Sequence, residues 1–92
     1  MSQITIRRSH ALSPIAARER ISHVADRLTE RFGATCRWQG DVLHIEHASV
    51  RGQLTLEAEM ITVEAKLGLA LAFFSGKIEA EIARILDREL GA

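Results

Sequence analysis

The chain has 92 residues, 47% hydrophobic and 26% charged, with 12 basic side chains balancing 12 acidic ones. That composition belongs to a folded chain and not to a disordered one, and a zero net charge argues against nucleic acid, whose binders carry a basic excess to neutralise phosphates. The single cysteine excludes an internal disulfide, and the longest apolar run, Leu67 to Phe74, falls far short of the ~20 residues that span a bilayer as a helix.

In chain order, "SQITIRR" alternates Ile4 and Ile6 with polar neighbours, the period of a strand buried on one face. Ser13 then offers a helix cap and Pro14 suits the first turn. Ala17, Ile21, Val24, Ala25, Leu28 and Phe32 recur at helical spacing, and Gly33 is a natural stop. From Ala34 the period becomes two: Cys36 and Trp38, then Leu43 and Ile45, Leu54 and Leu56, and Ile61, Val63, Ala65 and Leu67 mark the inward positions of four strands joined by short polar connections. Arg37, His44, Glu46, Gln53, Thr55, Glu57, Thr62, Glu64 and Lys66 are expected on the opposite, solvated face. The last element runs from about Leu69 to Leu90, with Leu71, Phe74, Ile78, Ile82, Ile85 and Leu86 as its core stripe, and with Gly76 predicting a kink or a short helix followed by a second one.

The fold class expected is therefore α+β, one domain over residues 1–92 in the order β-α-β-β-β-β-α. A five-stranded antiparallel-type sheet of spatial order 2-3-4-5-1 would carry both helices on one face, like a reduced helix-grip fold. No positively charged segment followed by an apolar stretch opens the sequence, so the expected compartment is the cytoplasm. Charge is unevenly spread: residues 1–52 hold eight arginines against five acids, and residues 53–92 four bases against seven acids.

Chemistry-bearing patterns are few. His44 and His47, three apart, would suit a shared metal on a helix, but on a strand they are expected on opposite faces, His44 on the solvated side and His47 near a strand end. Cys36 is expected in the core, away from His44, so no nucleophile–base pair forms. The outward glutamates sit on an open face that would not shift their acidity for catalysis. No catalytic, cofactor-binding or metal-binding residue is assigned, and none of these cofactors is expected. Arg7, Arg8 and His10 form a small basic cluster suited to an anion or an acidic partner. The start of the last helix is apolar nearly all round: with Leu71 and Phe74 facing the sheet, Leu69, Ala70 and Phe73 fall off the stripe and need a cover. That cover is the first helix, a second copy of the chain, or an apolar partner surface.

At "ITIRRSHAL", "FGATCRWQGDVLHIE" and "VEAKLGLALAFFSGKIEAEIARILD" the chain resembles the polyhydroxyalkanoic acid system family, small bacterial proteins encoded beside genes for polyester storage granules. The resemblance extends over almost the whole chain, in the same order of pieces. It implies a role in polyhydroxyalkanoate metabolism, at the granule or in its regulation, and supplies no catalytic residues. The function expected is a non-enzymatic, granule-associated or regulatory protein acting through Leu69, Ala70 and Phe73, with a homodimer and a granule or granule-coat protein as expected partners. The alternative is a small lipid- or acyl-binding module with a pocket between the C-terminal helix and the sheet. A third reading, an enzyme on hydroxyacyl substrates, lacks a recognisable acid, base or nucleophile.

Overall fold

The computed structural model describes residues 2–90. Strand β1 (Ser2–Ser9) leads into helix α1 (Pro14–Phe32), and a meander follows of β2 (Thr35–Gln39), β3 (Val42–His47), β4 (Val50–Leu56) and β5 (Met60–Leu67). The chain ends in a short helix, α2 (Leu69–Ala72), and a longer one, α3 (Ser75–Glu89). The sheet order is β1-β5-β4-β3-β2, and every neighbouring pair is antiparallel. This is the α+β arrangement read from the sequence: α1 carries the chain across to the far edge, and the meander returns it to β1.

Local chemistry explains where α1 starts and stops. Ser13, extended at φ −64° and ψ 160°, accepts the Ala16 N–H through its hydroxyl at 3.2 Å, and Pro14 follows at the position where its missing N–H costs nothing. At the other end Gly33 turns left-handed (φ 68°), donating its N–H to the Thr29 carbonyl at 3.0 Å. Between these caps Ala17, Ile21, Val24, Ala25 and Leu28 are buried. Phe32, expected to continue that stripe, is instead 45% exposed. The chain leaves the helical layer at this point, and the ring meets the Arg31 guanidinium at 5.8 Å instead of the core.

Strand alternation places Ile4, Ile6, Leu43, Leu54, Ile61, Val63, Ala65 and Leu67 on the inner face, fully buried against α1 and against Ile85 and Leu86 of α3, with Cys36, Trp38, Ile45 and Leu56 packed around them. The outer face is polar. One row across it runs Thr5, Glu64, Gln53, His44, Arg37; the next runs Gln3, Lys66, Arg51, Glu46, Thr35. Glu57, expected on that face, lies one residue past β4, in the turn where its N–H reaches the Met60 carbonyl at 2.9 Å.

The last element divides, and the break falls at Phe73 and Phe74. Gly76 lies inside the first turn of α3. Phe74, at φ −107° and ψ 13°, caps α3 without a side-chain bond. The core stripe begins later than the spacing suggested: Leu71, Ile78 and Ile82 are partly buried, Ile85 and Leu86 fully, while Phe74 is 55% exposed. The break rotates its ring off the stripe.

The uneven charge along the sequence is settled between α1, α3 and β1. Glu81 faces Arg31 (3.2 Å) and also contacts Arg84; Glu89, only 8% exposed, lies 3.5 Å from both His23 and Arg27; Asp87 meets Arg8 at 2.8 Å. The Glu81 oxygen nearest Arg31 accepts no aligned hydrogen bond, so this contact is Coulombic attraction without hydrogen-bond geometry. These contacts set the helices antiparallel and offset. With Glu81 paired to the last turn of α1, residues 75–80, about 9 Å of helix at 1.5 Å per residue, lie on the N-terminal side of that contact. The molecule measures 38 × 21 × 20 Å.

Candidate contact surface

The projecting end is where the sequence placed its apolar candidates. Gly68 is anchored by its N–H to the Ser49 carbonyl at 2.9 Å, and Leu71 N–H closes onto the Gly68 carbonyl at 3.0 Å. That single turn commits Leu71 to the core side. Leu69, Ala70 and Phe73 face away, Leu69 at 79% and Phe73 at 92% exposure, with Phe74 beside them. An aromatic side chain can bury roughly 150–250 Å², and this one buries almost none within its own chain. α1 leaves both Leu69 and Phe73 uncovered.

The basic candidates are not brought together. Alternation in β1 sends Arg7 to the outer face and Arg8 to the inner, where its Nε donates to Asp87 Oδ1 at 2.8 Å and its Nη1 to the Arg7 carbonyl at 3.0 Å. His10 is held by backbone. Its Nδ1 accepts the Leu12 N–H at 3.2 Å, which leaves Nε2 as the donor to the Glu57 carbonyl at 2.9 Å. The ring therefore joins the β1–α1 connection to the β4–β5 turn.

The remaining reactive side chains are separated. His44 lies on the outer face against Gln39 Oε1 at 3.0 Å, and His47 is exposed at the end of β3. Cys36 is half-buried near Thr29 and the Ala25 carbonyl, and burial pushes its thiol above the ordinary value. Among the described residues no group of three or more His, Cys, Asp or Glu is placed to hold a metal ion. Two open concavities, of about 370 and 240 Å³, lie along α1, lined by Ile15, Ser22 and His23 and by Asp26, Arg27 and Glu89 respectively. Neither lies between α3 and the sheet.

Two features escaped the sequence reading. Arg18 lays its guanidinium 4.1 Å from the centre of the Trp38 ring and donates to the Gly40 carbonyl at 3.1 Å, tying α1 to the β2–β3 turn. Glu89 reads as an ordinary helix-surface acid, and only the packing of α1 against α3 shows it to be buried. Arg18 lies five residues after the Ser13 cap and could have been suspected from its place over an aromatic strand; Glu89 carried no such signal.

The fold and the surface define a small α+β protein, an antiparallel sheet with helices on one face, whose apolar end projects and remains uncovered. Residues 4–90 match the family model described as "Putative polyhydroxyalkanoic acid system protein", and the chain belongs to that family. No curated protein and no solved structure matches it. Among the described residues no helix is long and apolar enough to cross a membrane.

Proposed function

We propose that this member of the polyhydroxyalkanoic acid system family is a non-enzymatic, granule-associated or regulatory protein acting in the cytoplasm at storage granules through Leu69, Ala70 and Phe73. One observation carries the reading: Phe73 is 92% exposed and Leu69 79% exposed at the same projecting end. Such exposure costs apolar burial that a small chain can ill spare, and contiguous apolar surface on a soluble chain marks a contact site. The polyester granule or its coat offers an apolar surface of the required kind. The alternative of an acyl pocket under α3 has less support, since Ile85, Leu86, Val63 and Ala65 fill that space. A second copy is the competing occupant. The three side chains at the tip, at roughly 150–250 Å² for each aromatic, fall short of the ~800 Å² per partner of a standard interface.

Recruitment to granules tests the reading. A fluorescent fusion of the natural chain should concentrate on granules in cells that make them, and Phe73→Asp should leave it diffuse while thermal stability is unchanged. Recruitment that survives Phe73→Asp would remove the tip from the function. Turnover of hydroxyacyl thioesters or oligomers by the purified protein would show that it is an enzyme.

A further inference from the structure

We propose that the projecting end is an interfacial anchor whose occupant is a lipid–water interface bearing anionic headgroups: Leu69, Phe73 and Phe74 enter the apolar layer while Lys66 and Lys77 meet the headgroup phosphates. The proposal rests on the reading of the tip as the contact surface and adds the chemistry of what it contacts.

Charge is the first argument. The whole chain is neutral, yet between Ala65 and Ile78 there is no acid and there are two lysines, one on either side of the apolar stretch. Both are exposed. Lys77 has a helical neighbour, Glu81, at the spacing that ordinarily forms an ion pair. Glu81 instead turns to Arg31 and Arg84, and the ion pairs of the described residues include neither Lys77 nor Lys66. Lys66 stands directly opposite Arg51 in the β4–β5 register, a like-charge juxtaposition that is unfavourable in the isolated molecule. Glu46, across from Arg51 on β3, Glu64, two residues before Lys66 on the same face, and the exposed Glu79 are acids near these lysines, and none of them closes an ion pair with either lysine.

Shape is the second. A tip of three exposed large apolar side chains, Leu69, Phe73 and Phe74, offers little area to a flat protein partner but suits a soft layer that can close around it. Against a second copy related by a two-fold axis, the lysines of one tip would approach those of the other. A neutral polyester surface would bury the aromatic rings but leave the ammonium groups without counter-charge. An anionic amphiphile layer satisfies both: apolar residues sink to the acyl boundary, and lysines extend their ammonium groups to the headgroups.

Sedimentation of the full chain with vesicles tests the proposal, using phosphatidylcholine alone, phosphatidylcholine with an equal part of phosphatidylglycerol, and bare polyhydroxyalkanoate particles. Binding is expected to the phosphatidylglycerol vesicles, weakening with added salt. Phe73→Asp should lower it at least tenfold, and Lys66→Gln and Lys77→Gln by roughly fivefold each, as expected for one basic residue at an anionic surface. All three positions are exposed, and an unchanged circular dichroism spectrum and melting temperature will show that the variants fold. Equal binding to both vesicle types, or binding to phosphatidylglycerol that ignores Phe73→Asp, overturns the anchor. Binding to bare polyester but to neither vesicle overturns it while leaving the granule-contact reading intact. Binding to none of the three surfaces removes both.

Discussion

Phe73 and Leu43 are both large apolar side chains in a small protein, at 92% and 1% exposure. Their removal should have opposite signatures. Leu43→Ala opens a cavity beneath β3 and should cost about 2–5 kcal/mol, read as a melting point lower by roughly 4–8 °C per kcal/mol for a domain of this size. Phe73→Asp should shift stability by no more than about 0.5 kcal/mol, because the ring touches little of its own chain. A large loss for Phe73→Asp in thermal unfolding would mean that the ring packs intramolecularly in solution. Cys36 gives a second test at this scale. Burial raises its thiol above the ordinary 9.0, so the fold favours the neutral form. That contribution to stability is complete below the unfolded value and fades only as pH climbs through the folded one, so it matters only in alkali. At pH 8, alkylation by iodoacetamide should be slower in the folded protein than in urea, and equal rates would place the thiol in solvent.

Helix ends show how local chemistry becomes element boundaries. Ser13→Ala removes the acceptor for the Ala16 N–H and should cost about 1 kcal/mol. Gly33→Ala should cost about 1–2 kcal/mol. A Cβ there meets nothing within 4 Å, so this cost comes wholly from φ 68°. Gly76 has open space and an ordinary helical position, so Gly76→Ala should raise stability by up to about 1 kcal/mol. Urea denaturation of the three variants checks the contrast, and a loss at Gly76 would show that its freedom is needed at the α2–α3 break. That break is also where the pattern of apolar residues misled. Leu71, Phe74, Ile78 and Ile82 have impeccable helical spacing, yet spacing describes an unbroken helix, and Phe73 and Phe74 interrupt it.

Across the molecule, the excess of arginine in residues 1–52 and of acids in residues 53–92 becomes a set of contacts between elements far apart in the chain, Arg8 with Asp87, Arg27 with Glu89 and Arg31 with Glu81. The arginines are partly solvated, so each pair should contribute under about 1 kcal/mol. Raising salt from low concentration to about 1 M, where the screening length falls to ~3 Å, should therefore lower the melting temperature by less than roughly 4–8 °C for each pair screened. A larger fall would show the ion pairs, and not the apolar layer, holding α3 on α1.

Much of this architecture could be read directly from residue order. Period-two and helical alternation depend on neighbours a few positions apart, so Ile4 and Ile6, the meander from Cys36 to Leu67, the Ser13 cap, the Gly33 stop and the surplus apolar surface at Leu69, Ala70 and Phe73 were all legible. The strand order followed from the shortness of the connections. Only the tertiary structure decided that Arg8 meets Asp87, that His10 is occupied by backbone, that Glu89 is buried, and that Glu81 pairs with Arg31 and Arg84 and leaves Lys77 outside the ion pairs of the described residues. Those outcomes depend on how far α3 slides along α1, a distance fixed by packing and charge between residues some fifty positions apart, which no local pattern encodes.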